Sequence, residues 1–148
     1  MKYGLKWGLF FIVLTVILAV STGYAKQNSK LVRKCCVAGT YTGVNWETLS
    51  RTCPTPENGN FKFIINQSRS CGSALWGKVV PVGGSDMGFK GTVSARGGCC
   101  FFSGVLTEKD GNTVKIWGTL CWDGTKWVCK DGQFTSATGC SGKFTMSQ

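Results

Sequence analysis

The chain has 148 residues, seventeen basic and seven acidic side chains, nine cysteines, no histidine and a formal net charge of +10. That length makes one domain. The lack of an imidazole excludes Ser-His-Asp and Cys-His nucleophilic chemistry. With no C-x-x-C pair either, the cysteines lack the spacing of a zinc or iron–sulfur site.

In chain order, residues 1–25 read MKYGLKWGLFFIVLTVILAVSTGYA. Lys2 and Lys6 precede an apolar run from Leu9 to Val20, broken only by Thr15, and Gly23 and Ala25 form a small-x-small site. This is the layout of a secretory signal cleaved after Ala25. The run is shorter than the roughly 20 residues of a membrane span, so no stable span is expected after cleavage. Removing Lys2 and Lys6 leaves fifteen basic residues against seven acids, a net charge of about +8. Residues 26–38 then form a basic arm carrying Lys26, Lys30, Arg33 and Lys34.

From residue 39 to 148 no helical period is sustained. Eight short runs rich in β-branched and aromatic residues alternate with turn chemistry. They are 39–46 (GTYTGVNW), 61–66, 74–82, 88–94, 99–107, 113–122, 126–135 and 142–147. Breaks such as CPTPENGN, GGSD, KDGN and DGT separate them. Such a string predicts an all-β antiparallel meander, and eight strands suffice to close a small barrel. A β-sandwich is the alternative.

All nine cysteines follow the apolar leader, which predicts a disulfide framework with one thiol left over. Cys35–Cys36 and Cys99–Cys100 are adjacent pairs, and neighbours on a strand face opposite sides of the sheet. Asp110-Gly111 suggests a two-residue hairpin loop. Lys109 would then face Asn112, Val105 would face Ile116, Gly104 would face Trp117, Phe101 would face Leu120, and Cys100 would face Cys121 at a distance suited to a cross-strand bridge. Cys100–Cys121 is therefore the expected disulfide. In the next hairpin, LCWDGTKWVC, a four-residue connection sets Trp122 against Trp127.

Gly39-Thr-Tyr41-Thr-Gly43 followed by Trp46, the strands FKGTV, FSGVLT and IWGTLC, and the closing SGKFTM resemble the up-and-down barrels of the lipocalin and avidin kind. Tyr41 stands where the lipocalin start typically has Trp. The resemblance implies a barrel with an interior cavity and carries over no ligand.

The seven acids are Glu47, Glu57, Asp86, Glu108, Asp110, Asp123 and Asp131, and four of them sit in expected turns, where they stabilise backbone. No carboxylate pair suited to general acid–base work can be placed, and no phosphate-loop sequence occurs. The expectation is a non-enzymatic protein without cofactor or metal, secreted or periplasmic. It would hold a small apolar or sugar-like ligand against aromatics: Tyr41, Trp46, Trp76, Trp117, Trp122 and Trp127. The alternative is a basic interaction protein acting on anionic envelope or matrix surfaces. Nucleic acid is not expected as a partner, since no recognition motif is visible. Asn66-Gln67-Ser68 is a glycosylation triplet that matters only in a eukaryotic host.

Overall fold

The computed structural model describes residues 34–55 and 57–148. The expected signal and most of the basic arm lie outside these residues. The described chain holds eight strands: β1 (Gly39–Glu47), β2 (Asn58–Gln67), β3 (Ala74–Pro81), β4 (Met87–Arg96), β5 (Cys99–Thr107), β6 (Thr113–Trp122), β7 (Trp127–Ser136) and β8 (Ser141–Ser147). Each pairs antiparallel with the next, and β1 pairs with β8, so the sheet closes into an up-and-down barrel. No described helix is long and apolar enough to cross a membrane.

The period-two pattern of each strand decides which side chains face inward. Tyr41, Phe63, Ile65, Leu75, Val79, Phe89, Val93, Phe102, Leu106, Ile116, Leu120, Phe144 and Met146 are all buried. The threonines and lysines between them face out. Phe63 meets Phe89 edge-on with ring centroids 4.8 Å apart, and Phe102 lies between Phe63 and Phe144. At about 1.5–3 kcal/mol for each large apolar side chain taken out of water, this layer is the main favourable term in folding.

The two ends of the barrel differ. One is closed by residues 35–37, the end of the expected arm, which are built into the domain. Val37 is fully buried. Its N–H donates to Gln67 Oε1 at 2.9 Å, and its carbonyl accepts the Tyr41 hydroxyl at 2.6 Å. Gln67 Nε2 donates to the Cys35 carbonyl, and Trp127 Nε1 donates to the Cys36 carbonyl at 3.0 Å. Disulfides Cys35–Cys100 and Cys36–Cys71 tie the plug to β5 and to the β2–β3 connection. A third bridge, Cys99–Cys121, sits at the same end. The opposite end is open, and Cys53–Cys140 is the bridge there, joining the 48–57 connection to the β7–β8 loop.

The β5–β6 hairpin corrects the expected disulfide. The bridge is Cys99–Cys121, with Cα atoms 4.5 Å apart, and not Cys100–Cys121. The Glu108 N–H bonds the Asn112 carbonyl, which leaves a three-residue loop, Lys109 to Gly111. Gly111 takes a φ of +90°, the left-handed position that ends such a loop. One more loop residue slides the whole register by one. Ile116 faces Gly104, Trp117 faces Ser103 and Leu120 faces Cys100. A one-residue slip exchanges the faces, so Cys100 turns inward to the plug and Cys99 turns outward to Cys121. The gap at Gly104 is filled by the Phe89 ring, which a Cβ there would strike, and not by Trp117. Trp122 does face Trp127, with centroids 5.6 Å apart.

β7 carries a bulge. Its register slips against β8 between Cys129 and Gly132, and against β6 between Cys129 and Gln133. Lys130 and Asp131 are therefore both exposed, while Cys129 and Gly132 both turn inward. Asp131 Oδ1 accepts the Thr119 N–H at 2.9 Å, a donor with no strand carbonyl opposite it.

Candidate functional site

The closed half of the barrel is filled by Tyr41, Ile65, Val93, Cys100, Leu120, Cys129 and Met146 around the plug. The open half is packed at its base by Phe63, Val79, Leu106, Ile116 and Phe144, while Phe61, Met87, Val114 and Phe134 nearer the pole are only partly buried. It forms a cup of about 870 Å³, within the usual range for small-molecule sites of about 300–1,000 Å³. The floor is Phe63, Ile116 and Leu106. The walls are Phe61, Val79, Met87, Val114, Phe134 and Phe144. The plug closes the other pole, and among the described residues no segment crosses this one. Glycines stand inward where the rings lie: the Phe144 ring occupies the space a side chain at Gly132 would need, and the Phe134 ring does the same at Gly142.

The mouth carries the opposite chemistry from the rest of the chain. Glu47, Glu57, Asp86, Glu108 and Asp110, five of the seven acids, line it, with Lys109 as the basic residue among them. They gather there because β1 ends at this pole, while the 48–57, β3–β4 and β5–β6 connections all turn there. Three are engaged locally. Glu47 accepts the Glu57 N–H at 2.7 Å, Asp110 caps its own turn through the Asn112 N–H, and Asp86 pairs with Lys78 at 2.7 Å. Among the described residues the carboxylates of Glu57 and Glu108 have no such partner and face the opening.

The aromatics expected to hold a ligand are placed elsewhere. Tyr41 is fully buried under the plug. Trp127 is buried and serves the plug, and Trp122 packs against the core beside it. Trp117 is half-buried on the outer wall opposite Gln133. Trp46 is exposed on the outside of β1 opposite Lys143. Trp76, 46% exposed, lines a shallow outer groove with Lys78, Gly88 and Lys90. None of the six lines the cup. Its apolar lining is phenylalanines and aliphatics, whose role was hidden in sequence because an inward phenylalanine reads the same whether it fills a core or walls a void.

Other chemistry is sparse. Ligand atoms of Glu47, Cys53 and Cys140 come within 4.8 Å of one another, but both sulfurs are spent in a disulfide and offer no thiolate to a metal. Cys129 is the free thiol, fully buried. Burial pushes its pKa up to about 11, so it stays protonated and unreactive at neutral pH. Burial also raises the Tyr41 phenol. Desolvation opposes ionisation of Asp131, but the bonds from Thr119 and Cys129 outweigh it and hold that carboxyl below its ordinary value.

Comparison of the chain with models of known protein families, with curated proteins and with solved structures finds no match.

Proposed function

We propose that this is an exported, non-enzymatic carrier that holds a small, largely apolar molecule in the open half of the barrel, its polar end among the mouth carboxylates. The observation that carries this reading is the cup itself: about 870 Å³, apolar toward its base, polar around its rim and open at one pole. A folded chain does not leave such apolar surface concave and wet without cost. The four disulfides fit an oxidising compartment, in keeping with secretion or residence in a periplasm. The outward lysines and threonines of the strands are those of a barrel in water, the reverse of the apolar band of a membrane barrel. The mouth acids support the non-enzymatic reading, because three of the five are engaged in turn, ion-pair or backbone contacts.

The test is titration with a neutral naphthylamine fluorophore. Saturable one-to-one enhancement is expected. Met87→Trp and Val114→Trp, which place an indole in the cup from partly buried positions, should abolish it while thermal melting stays cooperative. A native protein that gives no saturable signal, or variants that bind undiminished, would reject the cup as the site.

A further inference from the structure

The outer wall has a chemistry of its own. Strands β2 to β6 carry Lys62, Lys78, Lys90, Arg96 and Lys115 and not one acidic residue. All five basic side chains are exposed. The registers order them. Trp76 is the ladder partner of both Asn66 and Lys90, Lys90 is the partner of Val105, and Val105 is the partner of Lys115. Lys78 stands two residues nearer the open pole on β3, and Lys62 a further two on β2. Lys62, Lys78, Lys90 and Lys115 thus run across β2, β3, β4 and β6, with Val105 of β5 between the last two, over about 19 Å at roughly 4.8 Å per strand.

In the middle of this run the wall is concave. Gly88, outward-facing opposite Lys78, leaves a depression of about 690 Å³ bordered by the half-exposed indole of Trp76, the ammonium groups of Lys78 and Lys90, and the polar side chains of Asn66 and Thr107. An exposed indole with one cation across from it on β4, another two residues along β3, and amide and hydroxyl groups at the edge suits one kind of ligand. The apolar face of a sugar ring packs on the indole, its acidic groups meet the ammoniums, and its hydroxyls meet Asn66 and Thr107. A flat bilayer is a poorer fit, because the wall curves away on both sides and the exposed Trp76 indole lies in a depression.

The geometry points to the outer face of β2–β6, centred on Trp76, Lys78 and Lys90, as a binding groove for an acidic polysaccharide chain. This groove is separate from the cup and does not depend on it. The Lys78–Asp86 ion pair is an internal competitor. An anionic chain displaces Asp86 from Lys78, so removing that carboxylate should strengthen binding.

The experiment uses the full exported chain from a host that leaves Asn66 unglycosylated, with a heparin hexasaccharide as probe and calorimetry as readout. Lys78→Gln with Lys90→Gln should weaken binding about tenfold, the size of two solvent-exposed ion pairs lost. Trp76→Ala should weaken it too, Asp86→Asn should tighten it, and Lys130→Gln with Lys143→Gln, on β7 and β8, should leave it unchanged. Binding should fall steeply with salt. Fluorophore binding in the cup should survive in the Lys78 and Lys90 variants, which separates failure of the groove from failure of the carrier reading. The proposal is overturned if the two double variants weaken binding equally, since net charge alone then acts. It is also overturned if Asp86→Asn has no effect, or if vesicles of one part phosphatidylglycerol to three parts phosphatidylcholine bind through these residues while the hexasaccharide does not.

Discussion

At the scale of single residues, the closed pole rests on a few polar side chains that sequence alone does not separate from their neighbours. Tyr41 could be read only as an aromatic in the place of a barrel tryptophan. Its hydroxyl on the Val37 carbonyl depends on a contact four residues back that no strand pattern encodes. Tyr41→Phe leaves that carbonyl buried and unsatisfied and should cost about 1–3 kcal/mol, seen as a melting temperature lower by several degrees. Cys129 makes a second prediction. Iodoacetamide should label no thiol in the native protein and one after denaturation, as mass shows. Its folded pKa lies above the unfolded one, so the folded state keeps a proton that the unfolded chain has lost. The stability due to the buried thiol is complete below pH 9 and declines as pH climbs from 9 through about 11. The raised Tyr41 phenol adds to the same alkaline loss. Urea midpoints at pH 8 and pH 10.5 should differ in that direction, and equal midpoints would show that both groups are solvated.

At the scale of elements, all eight strands were legible, because each is a β-branched and aromatic run ended by Gly, Asp or Asn. Register was legible only where the turn was. Trp122 against Trp127 followed from the Asp123–Lys126 connection, whose Asp123 side chain accepts the Thr125 and Lys126 N–H groups. Asp110-Gly111 misled, because the same pair closes a two-residue loop or ends a three-residue one. Peptide mapping under non-reducing conditions with cleavage between Cys99 and Cys100, which partial acid hydrolysis can supply, should find Cys99 linked to Cys121 and Cys100 linked to Cys35. The β7 bulge was invisible in KWVCKDGQFT, a run whose alternation continues on both sides of it. Asp131→Ala should cost about 1 kcal/mol by removing the acceptor for Thr119, whereas Lys130→Ala beside it should change little.

For the molecule as a whole, the barrel could be expected from the meander and a cavity from the resemblance, but neither the pole that opens nor the charge arrangement could. Both arise from closure: turns distant in sequence converge on one pole, and only then do Glu47, Glu57, Asp86, Glu108 and Asp110 become neighbours. A strongly basic protein thereby acquires an acidic mouth beside a cationic wall. Ligands should sense this. Decylamine should displace the neutral fluorophore about 3–10-fold better than decanoate at low ionic strength, with the preference shrinking in 0.5 M salt as the carboxylates are screened. Glu57→Gln with Glu108→Gln should remove most of that preference without changing fluorophore affinity.

The placing of the bridges gives the two poles unequal endurance. Three bonds hold the base, and one, Cys53–Cys140, holds the rim. Opening that one bond lengthens the free tether of residues 48–57 and leaves the plug sewn shut. With that bond opened, amide exchange should quicken at the lip of the barrel while the plugged floor, still held by three bridges, keeps its protection.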